Sequence, residues 1–385
     1  MRIIIYEDRP ENFFPLINFY PQFNLRLGMK TIAEHNASLF PKFKFEFIAR
    51  EIFKFQLKEK NEPTIYLSSR LLLTDKVALP CEEVKFTSGG EIVGFLKNKP
   101  PFPKNLREIS IAIRSIEMEK EVSGIVLEHL WDIIRYNEEM INVHFRIYKE
   151  KGKSVKNFEI DGKSSNLYIE RTARVSKFVF FDTTSGPIYI DRRVLIRPFT
   201  TIIGPAYIGE GTIVERAKIV KSSIGPYCRI GGEVESCVFQ GFSNKYHEGF
   251  IGHSFIGEWV NIGSLTTNSD LKNNYSNVRI KIGEREYDTK MVKLGCFIGD
   301  HTKLGIGTLI PTGAVIGSFV NYFGGGMMPK YVPSFRWLGP GVSEIYELEK
   351  AISTMKIVMK RRGVILTKEY ENLIRESYQY LLTHI

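Results

Sequence analysis

The sequence predicts an α/β N-terminal domain, then a parallel β-helix, then a C-terminal helical cap. Three observations carry this prediction. Aliphatic residues recur every six positions from Ile190 to Val220 and again from Ile298 to Ile316. Many of the inward candidates, including Ile224, Ile256 and Ile298, are followed directly by glycine. The 385 residues also exceed one ordinary domain, which suggests about two or three units.

The front reads as alternating strands and helices. RIIIY at 2–6 and TIYLS at 64–68 have strand character, and residues 30–39 form a helix ending before Pro41. This small α/β unit runs to about residue 105. Three prolines in KNKPPFPK (97–104) cannot sit inside regular elements and mark a break. Residues 106–166 read as a connecting helical segment. Within it, Ile125, Leu130, Ile133 and Ile134 predict one amphipathic helix over Val122 to Ile141.

The hexads occupy the predicted solenoid, residues 167–335. They run Ile190, Ile196, Ile202, Ile208, Val214, Val220, then Ile224 and Ile230, then Ile256 and Ile262, and end at Ile298, Leu304, Ile310, Ile316. A period of six fits neither the helix nor a simple alternating strand. It fits a coil of short strands and tight corners, each hexad laying one apolar side chain inside. Glycine after the inward residue tolerates corner conformations that other residues resist. Residues 239–250 and 264–292 break the rhythm, and insertions in a solenoid leave the stack as loops that often carry function. Residues 336–385 read as helices. Ile345, Leu348, Ile352, Met355 and Met359 form a stripe, Gly363 can end that helix, and Thr367 can cap a second through Leu382. Their expected role is to cover the solenoid edge.

Composition narrows the function classes. Hydrophobic residues at 43% and charged residues at 25% exclude disorder as the main state. The net charge of +10 suits nucleic acid, a membrane surface or small polyanions. Its longest basic run is Lys360-Arg361-Arg362, with no basic strip interleaved by aromatics, so a phosphorylated small molecule is the expected partner rather than nucleic acid. No apolar stretch approaches the length of a membrane span. The short apolar run before Glu7 and Asp8 is not expected to act as a secretory signal. Four cysteines without a CxxC pair argue against zinc and fit buried thiols in a reducing cytoplasm. The triplet at 324–326 lacks a following GK[ST], so it reads as a turn and not a phosphate loop.

The densest polar constellation is residues 243–263, continued at 266–277. His247 stands in the first interruption beside Lys245 and Glu248. By itself it reads either as a solvated surface histidine or as a general base working near neutral pH. Asn261, Asn268, Asn273 and Asn274 either satisfy turns through side-chain bonds or bond a sugar.

His247, followed fourteen positions later by Asn261 in the hexad VNIG and then by LKNNY, resembles the acetyltransferase half of the bifunctional N-acetylglucosamine-1-phosphate uridyltransferase/glucosamine-1-phosphate acetyltransferase family. With LRLGMKTIAEH, GPIYI, IGPYCRIGGEV, GEWVN and GDHTK, nearly the whole chain is similar to a bacterial group of sugar nucleotidyltransferases related to that enzyme. The resemblance implies a left-handed β-helix homotrimer with active sites between neighbouring subunits. It implies that His247 deprotonates the amine of an amino-sugar 1-phosphate, which then attacks acetyl-CoA. Asn261, Asn274 and Tyr275 match positions that hold the acceptor. Lys281 and Arg216 are the candidates for its phosphate, and Lys330 for coenzyme A phosphate. Phe250 stands where the family has a tyrosine, so one hydroxyl contact is absent.

The same resemblance implies a divergent nucleotidyltransferase-like front domain. Such enzymes open with a glycine-rich phosphate loop, and here the strand runs instead into EDRPENFFPL, which has no glycine. Arg26 and Lys30 in LRLGMK either bind a nucleotide phosphate or form a turn and helix start. Asp8 and Asp75 are single carboxylates, no metal site is assigned, and Mg²⁺ is expected only if this domain is active. The leading expectation is an acetyl-CoA-dependent N-acetyltransferase. The alternatives are a UTP- or dTTP-dependent sugar-1-phosphate nucleotidyltransferase, or a non-catalytic sugar-nucleotide-binding trimer.

Overall fold

A computed structural model describes residues 1–58, 61–75, 80–148 and 159–384. The chain divides into two compact units, one of residues 1–25 and 30–130, the other of residues 26–29 and 131–385.

In the first unit, Arg2–Tyr6 and Thr64–Ser68 pair in parallel as the centre of a six-stranded sheet. Lys44–Ile48 lies parallel on one side, and Glu91–Lys97 lies antiparallel on the other, followed by Val84–Ser88 and Glu119–Glu121. Helix α1, Ile32–Leu39, starts on a capping box: Thr31 Oγ1 accepts from Glu34 N–H while Glu34 accepts from Thr31 N–H. Helix α2, Leu106–Ser115, follows the proline segment and is capped by Asn105. The predicted helix over Val122 to Ile141 is corrected. Gly124–Val126 is a strand paired antiparallel with Leu71–Leu73, and helix α3 begins only at Asp132 and runs to Tyr148. Tertiary pairing overrides helical spacing here, because Gly124 is the one residue that lets the strand approach Leu72 O.

The second unit is built on a left-handed parallel β-helix whose cross-section has three faces. Ile190 stacks on Ile208 and Ile298 on Ile316, each pair eighteen residues apart, so three hexads make one turn. The inward residues form one continuous core running from Leu167 to Val332. The first face carries the ladder Arg229, Asn244, Asn261, Lys303, Asn321. The second carries Phe180–Asp182, Thr201–Ile203 and their successors, and the third carries nine strands from Leu167–Ile169 to Tyr331–Val332.

The corner between third and first faces carries a continuous aromatic stack. Tyr227, Phe242, Trp259, His301, Phe319 and Phe335 all adopt left-handed backbone conformation there, with φ between 55° and 61°. Their rings stack in sequence at 4.4 to 6.3 Å between centroids. Each such residue pays a steric cost of about 1–2 kcal/mol, and stacking with burial offsets it.

Two details of the predicted cap are revised. Ile345 is not on the helical stripe: Val342–Ile345 turns back antiparallel on the last rung, Arg336–Gly339, and this hairpin covers the open edge. Helices α4, Leu348–Lys360, and α5, Lys368–His384, instead lie along the aromatic corner. Tyr370 Oη meets His301 Nε2 at 3.0 Å, and Tyr378 meets Phe335 edge-on. Gly363 ends α4 at φ 72°, and Thr367 Oγ1 accepts from Tyr370 N–H, as the sequence predicted. Cys228, Cys237 and Cys296 are buried and free, whereas Cys81 is exposed, against the expectation of four buried thiols.

Candidate active site

His247 stands on the corner between first and second faces, in a connection as long as those of residues 174–180, 195–201 and 261–267 on the same corner. The strand Asn244–Lys245 ends, and four residues pass before Phe250–Gly252 begins. The turn below leaves room because it is Gly231-Gly232. A Cβ at Gly231 would sit 2.1 Å from Tyr246 O. Lys245 is only 1% exposed. Its Nζ donates to Gly231 O at 2.9 Å and to His247 O at 2.7 Å. That lysine therefore pins the backbone of His247, whose side chain stays exposed. Burial pushes the Lys245 ammonium down to about 8.

The surrounding side chains are polar and charged. Tyr246 Oη donates to Glu215 Oε2 at 3.1 Å, and its ring meets His247 edge-on at 5.8 Å. Arg197 and Arg216 stand 3.9 and 3.8 Å from the Glu215 carboxylate. Arg216 is exposed with φ 43°, at an irregularity between Glu215 and Ala217 that pushes it out of the ladder. It lies on the same corner as His247, two turns away, which is about 10 Å at normal strand spacing. Asn261, exposed on the first face, accepts from Asn244 Nδ2 at 2.8 Å.

Beside this corner, a cleft of about 700 Å³ opens between the first face and α4. Arg229, Asn244, Tyr246, Asn261 and Lys303 line one wall, and Arg361 and Arg362 the other. Lys303 Nζ donates to Trp259 O and His301 O, and burial pushes it down to about 7.

The other predicted residues lie elsewhere on the prism. The insertion at 264–292 leaves from the corner between second and third faces. Asn274 Oδ1 accepts from Ser276 N–H in a turn there, and Tyr275 is exposed with φ 53°. Lys281 belongs to the hairpin Arg279–Ile282/Arg285–Asp288 and stands exposed, 3.6 Å from Glu284; the hairpin meets the third face through Arg279 O and Ile280, which lie against Gly313. Lys330 shares the region with Lys272; burial, then that like charge, lowers its pKa. One chain thus carries His247 and Arg216 on one corner with Asn261 on the adjoining first face, and sets Asn274, Tyr275, Lys281 and Lys330 apart from them. Arg26 is buried. Its Nε and Nη1 donate to Gln240 O and Met29 O, and its own N–H to Gln240 Oε1. Lys30 leads into α1, so around both residues the local geometry is that of a turn and a helix start.

Sequence reasoning missed two groups. His253 Nδ1 meets Asp270 Oδ2 at 2.7 Å at the root of the insertion. Burial would raise the Asp270 pKa, but the His253 hydrogen bond and charge outweigh it and leave the carboxyl below its ordinary value. Arg229 and the Arg361-Arg362 pair were legible only as scattered charge. In the first unit, a crevice of about 630 Å³ lies at the ends of the parallel strands. Its two central arginines are paired: Arg70 contacts Asp8, Glu91 and Glu128, and Arg9 contacts Glu91 and Glu128. Among the described residues no group of three His, Cys, Asp or Glu is placed to hold a metal ion.

Residues 3–152 match the family model described as sugar nucleotidyl transferase. The chain is 25% identical over 228 residues to the bifunctional protein GlmU of Methanocaldococcus jannaschii, covering 55% of this chain and 48% of that one. It is 30% identical over 137 residues to the bifunctional sugar-1-phosphate nucleotidylyltransferase/acetyltransferase of Sulfurisphaera tokodaii, covering 36% and 29%. The chain thus spans about half, or less, of the length of the curated relatives it matches. A solved acetyltransferase domain of PglB from Neisseria gonorrhoeae, in complex with acetyl coenzyme A, is 10% identical over 89% of this chain and 98% of that one, with a TM-score of 0.18.

Proposed function

We propose that the solenoid is an acetyl-CoA-dependent N-acetyltransferase acting on an amino-sugar phosphate, with His247 as general base. The observation that carries this reading is the pinned, exposed His247 on the corner that adjoins the face of Asn261, at the spacing of the acetyltransferase family it resembles. His247 takes a proton from the neutral acceptor amine as its nitrogen attacks the thioester carbon. The tetrahedral intermediate collapses, the carbon–sulfur bond breaks, and the imidazolium returns the proton to the departing coenzyme A thiolate. Asn261 orients the acceptor and Arg216 neutralises its phosphate.

In this reading the working unit is a homotrimer. Asn274, Tyr275, Lys281 and Lys330 sit on other corners of the prism, so they reach His247 only from a neighbouring copy. The His247 corner also carries exposed apolar side chains that suit such a contact: Phe178 (70% exposed) and Phe199 (71%) at one end, Leu265 (64%) and Ile306 (73%) at the other. The first test is release of the coenzyme A thiol from acetyl-CoA with glucosamine 1-phosphate. Wild type releases thiol and His247→Ala, folded by its melting curve, does not; equal rates would remove His247 from the mechanism.

A second reading concerns the front unit, whose match to sugar nucleotidyl transferases and strand-end crevice favour nucleotide chemistry. Pyrophosphate release from UTP or dTTP with a sugar 1-phosphate supports it, and none with any pair tried would leave the unit non-catalytic.

A further inference from the structure

The cleft beside α4 has a charge pattern that its role as a neighbour of His247 does not require. Its lining holds Arg229, Lys303, Arg361 and Arg362 and no carboxylate. Among the described residues, none of the three arginines forms an ion pair; Arg361 is exposed, whereas Arg229 and Arg362 are half-buried, and the similarly placed Arg50 and Arg375 are paired. Arg362 Nη1 donates to Tyr227 O at 3.1 Å. Its pKa is lowered by burial first, then by Arg229 and Arg361.

Helix geometry accounts for only part of this. Cations at a helix C-terminus gain about 0.3–1 kcal/mol from the peptide dipoles, which suits Arg361 and Arg362 at the end of α4. Arg229 comes from a solenoid strand, and nothing in α4 explains why a third guanidinium faces the same space. Three crowded guanidinium groups without a counter-charge repel one another, and an anion with several oxygens would relieve that cost. Arg229 and Lys303 stand three rungs apart on the first face, which spans about 14 Å. That span suits a pyrophosphate with a sugar attached better than it suits one phosphate. Between them lie the amides of Asn244 and Asn261, which bond each other and retain capacity for hydroxyls.

We propose that this cleft is a receptor for a pyrophosphate-bearing ligand, gripped by Arg229, Arg361 and Arg362 with Asn244 and Asn261 along its sugar. The proposal rests on the cleft alone and is independent of His247 as base. Two ligands share the chemistry: coenzyme A, through its own pyrophosphate, and an acceptor sugar carried on a nucleoside diphosphate.

Isothermal titration of the 385-residue chain decides. The probes are inorganic pyrophosphate, inorganic phosphate, coenzyme A and UDP, each at low and high salt. Pyrophosphate is expected to bind more tightly than phosphate, to weaken with salt, and to compete with coenzyme A or UDP. Arg361→Gln/Arg362→Gln is expected to weaken pyrophosphate at least tenfold. If coenzyme A weakens with it and UDP does not, the cleft holds the donor; the reverse identifies a nucleotide-linked acceptor. Should the double variant fail to fold, Arg229→Gln, on a solenoid strand, is expected to show the same loss by itself. Failure of wild type to bind pyrophosphate, or unchanged affinity in the folded arginine variants, overturns the proposal. His247→Ala retains pyrophosphate binding, so a failed acetyl-transfer reading and a failed cleft reading give different results.

Discussion

Lys245 offers the sharpest physical prediction, because a buried ammonium makes stability depend on pH in a narrow window. Burial moves its pKa from the ordinary 10.5 to about 8. The folded state therefore binds fewer protons than the unfolded state between those values, and stability rises with pH across them. The shift corresponds to about 3 kcal/mol. The cost is present in full below pH 8 and is gone by about pH 10.5. Lys245→Met removes this dependence and leaves Gly231 O and His247 O without their donor, at about 1–3 kcal/mol each. At pH 7 the two effects oppose, so wild type and variant lie within a few kcal/mol. At pH 10 the neutral amine still donates to both carbonyls, and wild type moves ahead by about 3 kcal/mol relative to its position at pH 7. Guanidinium unfolding of both proteins at pH 7, 8.5 and 10 measures the difference, and subtracting the variant removes the titration of other groups. A difference that stays flat across this range, or falls, refutes a buried, charge-disfavoured Lys245.

Other substitutions probe separate parts of the account. Trp259→Ala opens the middle of the aromatic corner and is expected to cost about 3–5 kcal/mol in chemical denaturation. Gly249→Ala meets a positive φ of 128° and Thr266 O at 2.1 Å. It is expected to cost about 1–3 kcal/mol and to lower acetyl transfer by displacing the His247 loop. Thr367→Ala removes the cap of α5 and should lower stability by about 1 kcal/mol, with acetyl transfer unchanged.

The solenoid was legible because its inward positions are local in sequence. Ile298, Leu304, Ile310 and Ile316 announce a coil of short strands and corners with no knowledge of the rest of the chain, whereas three hexads to a turn follows only from the strand pairing. Gly363 and Thr367 were legible for the same reason, since caps act within four residues. The aromatic corner was not, because Trp259 and His301 stack across an insertion that destroys their spacing. Ile345 and Ile125 were misread where a strand partner far along the chain outweighed helical periodicity. The candidate site was half legible. His247 and Asn261 keep a spacing that the coil makes meaningful, whereas Arg229 meets Arg361 only after α4 packs on the first face. The face that each residue occupies, which separates Asn274 from His247, follows from corner counting through an irregular insertion and has no signature in the local sequence.

The central claim is an acetyl-transfer site completed between copies of the chain, with His247 from one and Asn274 from its neighbour. Complementation tests it most directly. His247→Ala and Asn274→Ala are prepared separately, mixed in equal amounts under conditions that exchange subunits, and assayed for coenzyme A release. Each variant by itself is expected to be inactive. Random assembly leaves about a quarter of the shared sites intact, so the mixture should recover about a quarter of wild-type activity. A mixture no more active than its components, with subunit exchange verified, contradicts the claim.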